Sequence, residues 1–400
     1  MKKNYDINEE MYKHEKNELD VMHLSSQGAL VLPFPPRSIW IEITTRCTLK
    51  CEFCAHRIMN RKQEDMTFET FKKIIDGIDI MLNKYGDKEI TEICLTRWGE
   101  PLIHKELGKF IEYTKSKGIY TYLATNGTLL TKEKRKMILD SKLDKMNISV
   151  DTINDERHKE MMGIPIRKRI INILSFLKEK FECNAKLPII EISMVRYTGF
   201  EREVDIFQKF FELVSTDRIN LGTCFNLLGY IDYKFDKNLK TGPCINPWHC
   251  LGIYINGDCT FCLQDPNGKD TYIGNCLTQG MDEVWNGKLA QKIRKAVWNF
   301  DYGTFPVCEN CNVNVYDRFQ MKPFSESYIN YVQRMKTVNP KNIDYEKYLY
   351  LSHLQSISSG PMIDINWDKS IKIIDEVIYE VDHGKRFFDV AKSTVKKYGK

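Results

Sequence analysis

Six short apolar runs alternate with amphipathic segments between residues 38 and 223, and this alternation limits the possible folds more than any other feature. The runs predict β-strands at 39–44, 92–96, 121–125, 145–151, 189–195 and 218–222. One intervening segment repeats apolar residues at helical spacing from Phe71 to Leu82 and stops at Gly86. Such alternation requires a parallel sheet covered by helices. Six units predict an α/β fold, a partial (β/α)6 TIM-like barrel rather than the closed eight-fold one.

Three cysteines follow the first predicted strand directly, at Cys47, Cys51 and Cys54. A cubane iron–sulfur cluster usually takes four thiolates, so three ligands from one loop leave one iron open to bind another molecule. The chemistry of parallel α/β folds lies at the carboxyl ends of the strands. Gly99-Glu100 and Asn126-Gly127 follow the next two strands. The sequence therefore predicts one shared site at these strand ends.

The composition is that of an ordinary globular chain of 400 residues, with 59 basic and 54 acidic residues and a net charge of +5. This balance favours neither nucleic-acid nor membrane binding. Residues 1–6 run into acidic polar sequence unlike a signal peptide, and no apolar run reaches the roughly 18 residues that span a bilayer. We expect a cytoplasmic protein. In that reducing compartment, metal or catalytic ligands are a better interpretation of its 13 cysteines than disulfides.

A second cysteine-rich region lies between residues 242 and 312 and predicts a small appended module. A two-residue turn at Asn256-Gly257 would form a hairpin in which Tyr254 pairs with Cys259 and Leu251 pairs with Cys262. Directly paired residues share a face of the sheet and neighbours along a strand alternate. Cys262 would therefore point away from Cys259.

Seven cysteines of this region compete for one site: Cys244, Cys250, Cys259, Cys262, Cys276, Cys308 and Cys311. In the predicted register Cys250 lies on the face of Cys259, so a cluster bound by Cys262 draws its partners from outside the ladder. Cys244, ahead of the hairpin, and the pair Cys308 and Cys311, beyond the following helix pattern, fit this requirement.

The stretch from Cys47 to Cys54, with Phe53 before the third cysteine, resembles the signature of the radical S-adenosylmethionine (radical SAM) superfamily. Over residues 38–225 further motifs are similar to that family and stand in its order. They are Trp98-Gly99-Glu100-Pro101, in which Trp98 replaces the first glycine of GGEP, then Thr125-Asn126-Gly127, Ser149-Val150-Asp151 and Arg196.

This resemblance implies a [4Fe-4S] cluster on the three cysteines and S-adenosylmethionine (SAM) on its open iron. It implies SAM contacts from Phe53, Gly99, Glu100, Asn126, Ser149, Asp151 and Arg196. Reductive cleavage of SAM gives methionine and a 5′-deoxyadenosyl radical, which removes hydrogen from an unactivated C–H bond. An external one-electron donor of the flavodoxin or ferredoxin kind is implied as well.

The second region resembles a shortened SPASM, or twitch, domain. The motifs that carry this resemblance are Cys244-Ile-Asn-Pro-Trp248, Asn256-Gly257-Asp258, Cys262-Leu-Gln-Asp265, Gly274-Asn275, Trp285-Asn286 and the terminal C-x2-C. The resemblance implies one auxiliary [4Fe-4S] cluster on Cys244, Cys262, Cys308 and Cys311, because the further cysteines of full SPASM domains are missing shortly after Cys311. The predicted organisation is an N-terminal extension at 1–37, the partial barrel at 38–230, the auxiliary module at 240–315 and a mostly helical extension at 316–400.

Two zinc alternatives remain open. One is a zinc site or redox pair at the first triplet, where only His56 lies at ligand spacing. The other is a zinc ribbon built from Cys259-x2-Cys262 and Cys308-x2-Cys311. Neither Cys250, Cys259 nor Cys276 is excluded as an auxiliary ligand.

Three functions compete. The first choice is a radical SAM oxidoreductase or epimerase of a small sugar- or aminocyclitol-like molecule, because residues 1–37 are too short for the docking domain of many peptide maturases. The second is a maturase of ribosomal peptides. The third is a non-catalytic iron–sulfur or zinc scaffold. The residue that moves a substrate proton is not identified; Asp265, Arg196 and Tyr230 are guesses.

Overall fold

The computed structural model describes residues 21, 24–25, 27–86, 91–196, 201–214, 217–223, 244–301, 303–305, 308–309, 311 and 366–399, without the side chains of Arg196, Glu201 and Thr223. Six parallel strands come first: β1 (Ser38–Ile41), β2 (Glu92–Cys94), β3 (Tyr120–Thr125), β4 (Lys145–Ser149), β5 (Ile189–Arg196) and β6 (Arg218–Thr223). Each begins within one residue of its predicted start and ends within three residues of its predicted end. The predicted strand–helix alternation is confirmed.

Helices connect these strands and cover one face of the sheet. They are α1 (Phe68–Tyr85), α2 (Leu107–Ser116), α3 (Lys132–Asp140), α4 (Asp155–Met162), α5 (Arg167–Glu182) and α6 (Glu201–Leu213). Helix α1 shows the local causes: the Thr67 side chain accepts a hydrogen bond from the Thr70 amide at 3.2 Å, and Gly86 ends the helix at φ 74°. The predicted end at Gly86 is therefore confirmed.

The appended region continues the same sheet, which the sequence did not indicate. It contains α7 (Asn246–His249), β7 (Cys250–Ile253), β8 (Asp258–Thr260), β9 (Tyr272–Asn275), α8 (Met281–Asn286) and α9 (Lys288–Trp298). Strand β7 pairs in parallel with β1, and Ser38 lies opposite Cys250. The strand order is β6-β5-β4-β3-β2-β1-β7-β8-β9, so among the described strands β6 and β9 form open edges and the barrel is partial.

The predicted register of the β7–β8 hairpin is wrong by one residue. Cys259 pairs with Ile253 instead of Tyr254, and Gly252 pairs with Thr260. The loop has three residues, 255–257, since the Tyr254 amide donates to the Asp258 carbonyl at 2.8 Å and Gly257 adopts φ 83°. A glycine in the left-handed region ending a three-residue loop adds a bulge that a two-residue turn lacks.

The two faces of the six parallel strands differ sharply in polarity. The face under the helices is apolar and fully buried at Ile39, Ile93, Leu123, Met146, Ile148, Ile190 and Ile192. The opposite face carries Glu92, Tyr122, Lys145, Asn147 and Glu191, in rows set by the strand register. Contacts across this polar face skip a strand: Lys145 Nζ on β4 lies 3.7 Å from Glu92 Oε2 on β2. The polar face is therefore concave, and we call it the lumen face.

Both chain extensions cover the core where they are described. Helices α10 (Trp367–Asp382) and α11 (Phe387–Tyr398) pack on α5 and α6. Helix α10 is amphipathic: Ile374 and Val381 are buried, while Ile371 and Ile378 are partly buried. At the other end, the Trp285 indole nitrogen donates to the Phe34 carbonyl at 2.9 Å. No described helix is long and apolar enough to cross a membrane.

Candidate functional site

The loop after β1 carries the three cysteines, and hydrogen bonds to the segment before α1 fix its path. The Thr45 amide donates to the Glu64 carbonyl at 3.0 Å, and the Met66 amide donates to the Ile43 carbonyl at 2.9 Å. Arg46 forms a two-bond ion pair with Asp65. The loop ends in a 3-10 turn, Ala55–Ile58, capped by the Cys54 sulfur, which accepts from the His56 amide at 3.4 Å. The thiols therefore belong to an ordered loop at the carboxyl end of β1.

Burial raises the pKa of all three thiols, and neighbouring thiols raise those of Cys51 and Cys54 further. Burial raises the pKa of Cys47. Burial, together with the neighbouring Cys54, raises the pKa of Cys51 to about 12, and burial raises that of Cys54 to about 11. Three such thiols do not ionise together without a cation, and coordinating metal removes thiol protons outright. The donor set therefore fits a cluster of iron.

Gly99 and Glu100 join the ends of β2 and β3 to this loop. A Cβ on Gly99 would lie 2.2 Å from the Thr44 carbonyl oxygen, so only glycine permits this close approach. The Glu100 amide donates to the Arg46 carbonyl at 2.8 Å. The Glu100 carboxylate is buried and accepts from Thr125 Oγ1 at 2.7 Å and from the Asn126 amide at 2.8 Å. Glu100 therefore orders two strand ends, while its SAM contact stays a prediction.

Asn126 and Ser149-Asp151 bring the next two strand ends to the thiols. Asn126 Nδ2 lies 3.8 Å from Cys47 Sγ and donates to Thr48 Oγ1 at 3.1 Å. Ser149 Oγ donates to Asp151 Oδ2 at 2.5 Å. Asp151 is buried with φ 63°, and its charge acts on Cys51 and Cys54. The structure thus brings these predicted residues together around one loop.

Phe53 is half-buried beside the same loop. It packs with Leu49, Met161, Met162 and the cysteines Cys47 and Cys51 in a small apolar cluster. The Glu52 amide also donates to the Met161 carbonyl at 2.9 Å, so the end of α4 supports the loop.

The guesses for a proton-moving residue gain no support. Asp265 is buried and saturated: its carboxylate accepts from the amides of Asn267 and Gly268 at 2.9 and 2.8 Å and from Thr271 Oγ1 at 2.9 Å. These bonds give it a structural role in a turn. Tyr230 and the side chain of Arg196 lie outside the described residues, although the Arg196 backbone ends β5.

Arg169 is a site residue that sequence reasoning missed. It is 2% exposed on α5 and donates through Nε to the Asn126 carbonyl at 2.6 Å and through Nη2 to the Ser149 carbonyl. Its charge favours the ionised forms of Asp151 and Cys51. Arg169 therefore ties together the ends of β3 and β4 and places a buried cation beside the thiols. An arginine in an amphipathic helix ordinarily indicates a solvated face, so no local pattern identified it.

Arg169 also keeps the buried His158 neutral. Arg169 Nη1 lies 2.6 Å from His158 Nε2, and His158 Nδ1 lies 2.8 Å from the Ile164 carbonyl oxygen. Burial and the nearby guanidinium lower the pKa of His158 to about 4.

We expect this histidine to make the fold weaker in mild acid. The folded state holds the imidazole neutral down to a pKa of about 4, whereas the unfolded chain takes up a proton near 6.5. The stabilisation is therefore complete above pH 6.5 and is lost as the pH falls towards 4. Between pH 7 and pH 5 the loss amounts to about 2 kcal/mol. Urea unfolding of the wild type and His158→Gln at both pH values measures it; an equal pH effect in both proteins would contradict it.

The auxiliary module gathers four of its cysteines. Burial raises the pKa of Cys244, and the charges of Cys311 and Cys308 raise it further. Burial raises the pKa of Cys262 well above its usual range, and the charges of Cys311, Cys244 and Cys308 raise it further. Cys244 and Cys262 are thus near enough to Cys308 and Cys311 for the charges of these thiols to act on them. The structure therefore brings together the predicted auxiliary set, although the predicted register that led to it is wrong.

The other cysteines of the module have different neighbours. Cys259 is buried, and Cys276 raises the pKa of its thiol. Both thiols donate to the Gly257 carbonyl oxygen, at 3.4 and 3.2 Å. Cys250 Sγ lies 2.9 Å from His249 Nδ1 and also acts on Cys244. The zinc ribbon needs Cys259 beside Cys262, and the contact with Cys276 gives that pairing no support.

No three described His, Cys, Asp or Glu side chains converge on one point as ligands of a single metal ion do. A cubane differs from a single ion because each thiolate binds a different iron, so its sulfur ligands surround a volume.

A partial parallel α/β barrel with three thiols at the carboxyl end of β1 is suited to hold an iron–sulfur cluster at the mouth of the barrel. Models of two families match the chain: the radical SAM superfamily at residues 41–205 and an iron–sulfur cluster-binding domain, SPASM, at residues 244–312. Residues 41–205 therefore form a radical SAM domain, and residues 244–312 form a C-terminal SPASM domain. These domains imply [4Fe-4S] clusters and SAM as cofactors.

Two curated relatives illustrate the similarity. The chain is 30% identical over 223 residues to a tungsten-containing aldehyde ferredoxin oxidoreductase cofactor-modifying protein of Pyrococcus furiosus, covering 54% of this chain and 61% of that protein. It is 27% identical over 188 residues to the PqqA peptide cyclase of Bradyrhizobium diazoefficiens, covering 46% of each. The chain thus spans about half the length of these relatives.

Two solved structures share the fold. SuiB of Streptococcus suis bound to precursor peptide SuiA has a TM-score of 0.53 at 19% identity, covering 68% of this chain and 70% of that chain. The protein anSMEcpe with bound AdoMet has a TM-score of 0.51 at 15% identity, covering 76% of this chain and 99% of that chain.

Proposed function

We propose that this protein is a radical SAM enzyme with one auxiliary [4Fe-4S] cluster that removes hydrogen from a C–H bond of a small polar molecule. Cys47, Cys51 and Cys54 hold the first cluster, and Cys244, Cys262, Cys308 and Cys311 hold the second. When bound, the first cluster supplies an open iron and an electron for SAM, and an external flavodoxin- or ferredoxin-like protein supplies that electron.

Within this proposal the chain's own residues position SAM and exclude water. Asn126, Ser149 and Asp151 line the strand ends beside the thiols, and Phe53 covers the loop from the side of α4. Asp151 carries a charge that Arg169 balances, so the site keeps a polar anchor in a buried setting.

The observation that carries the choice of a small polar substrate is the lumen face beneath this loop. A strand of a parallel sheet that is buried on both of its faces ordinarily consists of a continuous run of apolar residues. Here the residues of the lumen face remain polar and Asn147 is only partly buried in mid-sheet. Its Nδ2 donates to Glu191 Oε1 at 2.6 Å, and Asn220 Nδ2 donates to the same oxygen at 3.4 Å. Two amides thus orient the Glu191 carboxylate. Glu191 precedes Ser193 by two residues on β5, about 7 Å along the strand, and Ser193 pairs with Ser149 at the end of β4.

An oriented, buried carboxylate suits a hydroxyl or amino group of a substrate such as an amino sugar or aminocyclitol. Oxidation and epimerisation both begin with hydrogen removal at such a carbon. Glu191 belongs to the residues that sequence reasoning missed, and the polar alternation of β4, β5 and β6 was the signal that could have revealed it.

A ribosomal peptide is the second candidate substrate. The similarity to a PqqA peptide cyclase favours it. A peptide would place one polar side chain in the lumen, with its backbone outside the barrel.

Anaerobic reconstitution with iron and sulfide tests the proposed cofactors. We expect roughly eight irons per chain for two cubanes, against roughly four irons plus zinc for the ribbon. Reduced protein and SAM should yield 5′-deoxyadenosine. Reconstituted, reduced protein that forms none would instead support the non-catalytic scaffold.

Glu191→Gln tests the substrate class, because it removes the charge but keeps the shape of the acceptor. The substrate is first identified by screening amino sugars, cyclitols and short polar peptides. For that substrate we expect the KM of Glu191→Gln to rise at least roughly tenfold, because one hydrogen bond to a charged group is lost. Substrate-dependent 5′-deoxyadenosine formation measures it.

The matched control is Glu179→Gln on α5, where the carboxylate pairs with Arg135 at 2.6 Å outside the lumen. Equal KM values for Glu191→Gln and Glu179→Gln would remove Glu191 from the substrate site.

A further inference from the structure

Two arginines of the barrel hold one tyrosine of the auxiliary module. Arg61 follows the cysteine loop, Arg97 follows β2, and Tyr254 follows β7. The guanidinium carbons of Arg61 and Arg97 lie 4.7 and 4.1 Å from the centroid of the Tyr254 ring. Both distances are typical of cation–π contacts. We call these three residues the arginine clamp.

The arginine clamp also holds the backbone that follows Cys262. Arg97 Nη2 donates to the carbonyl oxygens of Cys262 and Asp265 at 3.0 and 3.2 Å. The Tyr254 hydroxyl donates to the Asp265 carbonyl at 2.7 Å, and Arg61 Nε donates to the Pro266 carbonyl at 2.8 Å. A segment that begins at a proposed cluster ligand is therefore fixed to the barrel by charged donors.

The two arginines differ in how their charge is balanced. Arg61 forms a bidentate pair with the fully buried Glu42, with both bonds at 2.6 Å. Arg97 has no carboxylate partner among the described residues, and its Nε and Nη1 atoms are buried without a hydrogen-bond partner in that part of the chain. A buried cation is costly unless an anionic group lies close by.

The backbone of β7 is shaped to accept this guanidinium. A Cβ on Gly252 would lie 2.4 Å from Arg97 Nη1 and 2.8 Å from its Cζ. Gly252 thus leaves the space in which the guanidinium lies between the barrel and Tyr254.

We propose that Arg97 is the counter-charge of the auxiliary cluster and the positioning residue that sets its reduction potential. The proposal rests on the auxiliary cluster of the proposed function. Four thiolates give such a cluster a negative charge that grows by one when it accepts an electron. A fixed cation on the carbonyl of Cys262 stabilises the reduced form more than the oxidised form, so it raises the potential.

Redox titration of the reconstituted full chain, followed by electron paramagnetic resonance, tests this role. In Arg97→Gln we expect at least a tenfold lower ratio of reduced to oxidised auxiliary cluster at a fixed potential, which is a shift of 59 mV for one electron. Arg97→Lys keeps the charge and should restore more than half of the shift. Arg135→Gln, which removes another largely buried arginine remote from the module, should leave the potential unchanged.

Gly252→Ala is a second test for the case in which the Arg97→Gln protein does not assemble its auxiliary cluster. It keeps the charge in the chain but pushes the guanidinium away, so the potential should fall in the same direction. Unchanged potentials in Arg97→Gln and Gly252→Ala, or equal shifts in Arg97→Gln and Arg97→Lys, would overturn the counter-charge. A wild-type chain with only one cluster would overturn both this role and the auxiliary part of the proposed function. If the wild-type chain holds two clusters but does not cleave SAM, that result would count against the proposed function and not against the role of Arg97.

Discussion

Replacing Cys47, Cys51 or Cys54 with serine should reduce the formation of 5′-deoxyadenosine from SAM to background. Each variant loses one of three thiolates supplied by one loop, and a cluster with two protein ligands does not persist in water. Iron content should fall from roughly eight to roughly four per chain, because the auxiliary cluster remains. Liquid chromatography of reduced, reconstituted protein incubated with SAM measures the nucleoside.

Cys183→Ser is the matched control for this experiment. Cys183 is exposed at the C-terminal end of α5, so the same chemical change there should leave iron content and SAM cleavage at wild-type values. A triplet variant that still cleaves SAM at the wild-type rate would show that the loop after β1 does not hold the cluster.

Replacing Cys262 with serine should separate the two clusters. Cys262 interacts with Cys244, Cys308 and Cys311 and lies apart from the first triplet in the sequence. We expect SAM cleavage to stay measurable while substrate turnover is lost, since the first cluster is intact and the second is not. Iron should again fall to roughly four per chain, and only one paramagnetic species should remain after reduction.

Cys259→Ser and Cys276→Ser are matched controls from the same module. Their thiols contact each other and the Gly257 carbonyl, so both variants should keep two clusters. Cys250→Ser decides the remaining choice, because Cys250 also acts on Cys244. Loss of SAM cleavage in Cys262→Ser as complete as in the triplet would mean that the two sites are not separate.

The parallel half of the fold was predictable because its signals are local. Each of the six parallel strands carries apolar residues on the face under the helices, and helix α1 ends at Gly86 because a glycine there adopts φ 74° at no steric cost. The hairpin register was not predictable from Asn256-Gly257 alone. Two-residue and three-residue loops share this dipeptide, and the choice depends on pairing with β9 and β1 as well as on the turn.

Residues whose role depends on distant partners were missed for the same reason. Arg169 lies in an ordinary amphipathic helix pattern, Arg97 lies in the loop after β2, and Glu191 lies in an ordinary strand pattern. Their partners are the Asn126 carbonyl, the Cys262 carbonyl and the Asn147 amide, at sequence separations of 43, 165 and 44 residues.

The sequence by itself determined the chemistry this chain offers: three thiols after a first strand, polar residues at the following strand ends, and a second group of cysteines. Spacing along the chain decides this, because one loop supplies all three ligands of the triplet. Only the tertiary structure decided which cysteines of the auxiliary module are neighbours and where the buried charges lie. It also decided that β7 extends the barrel sheet beside β1. These features arise from packing between distant segments, where burial of a charge or a thiol is settled by what surrounds it.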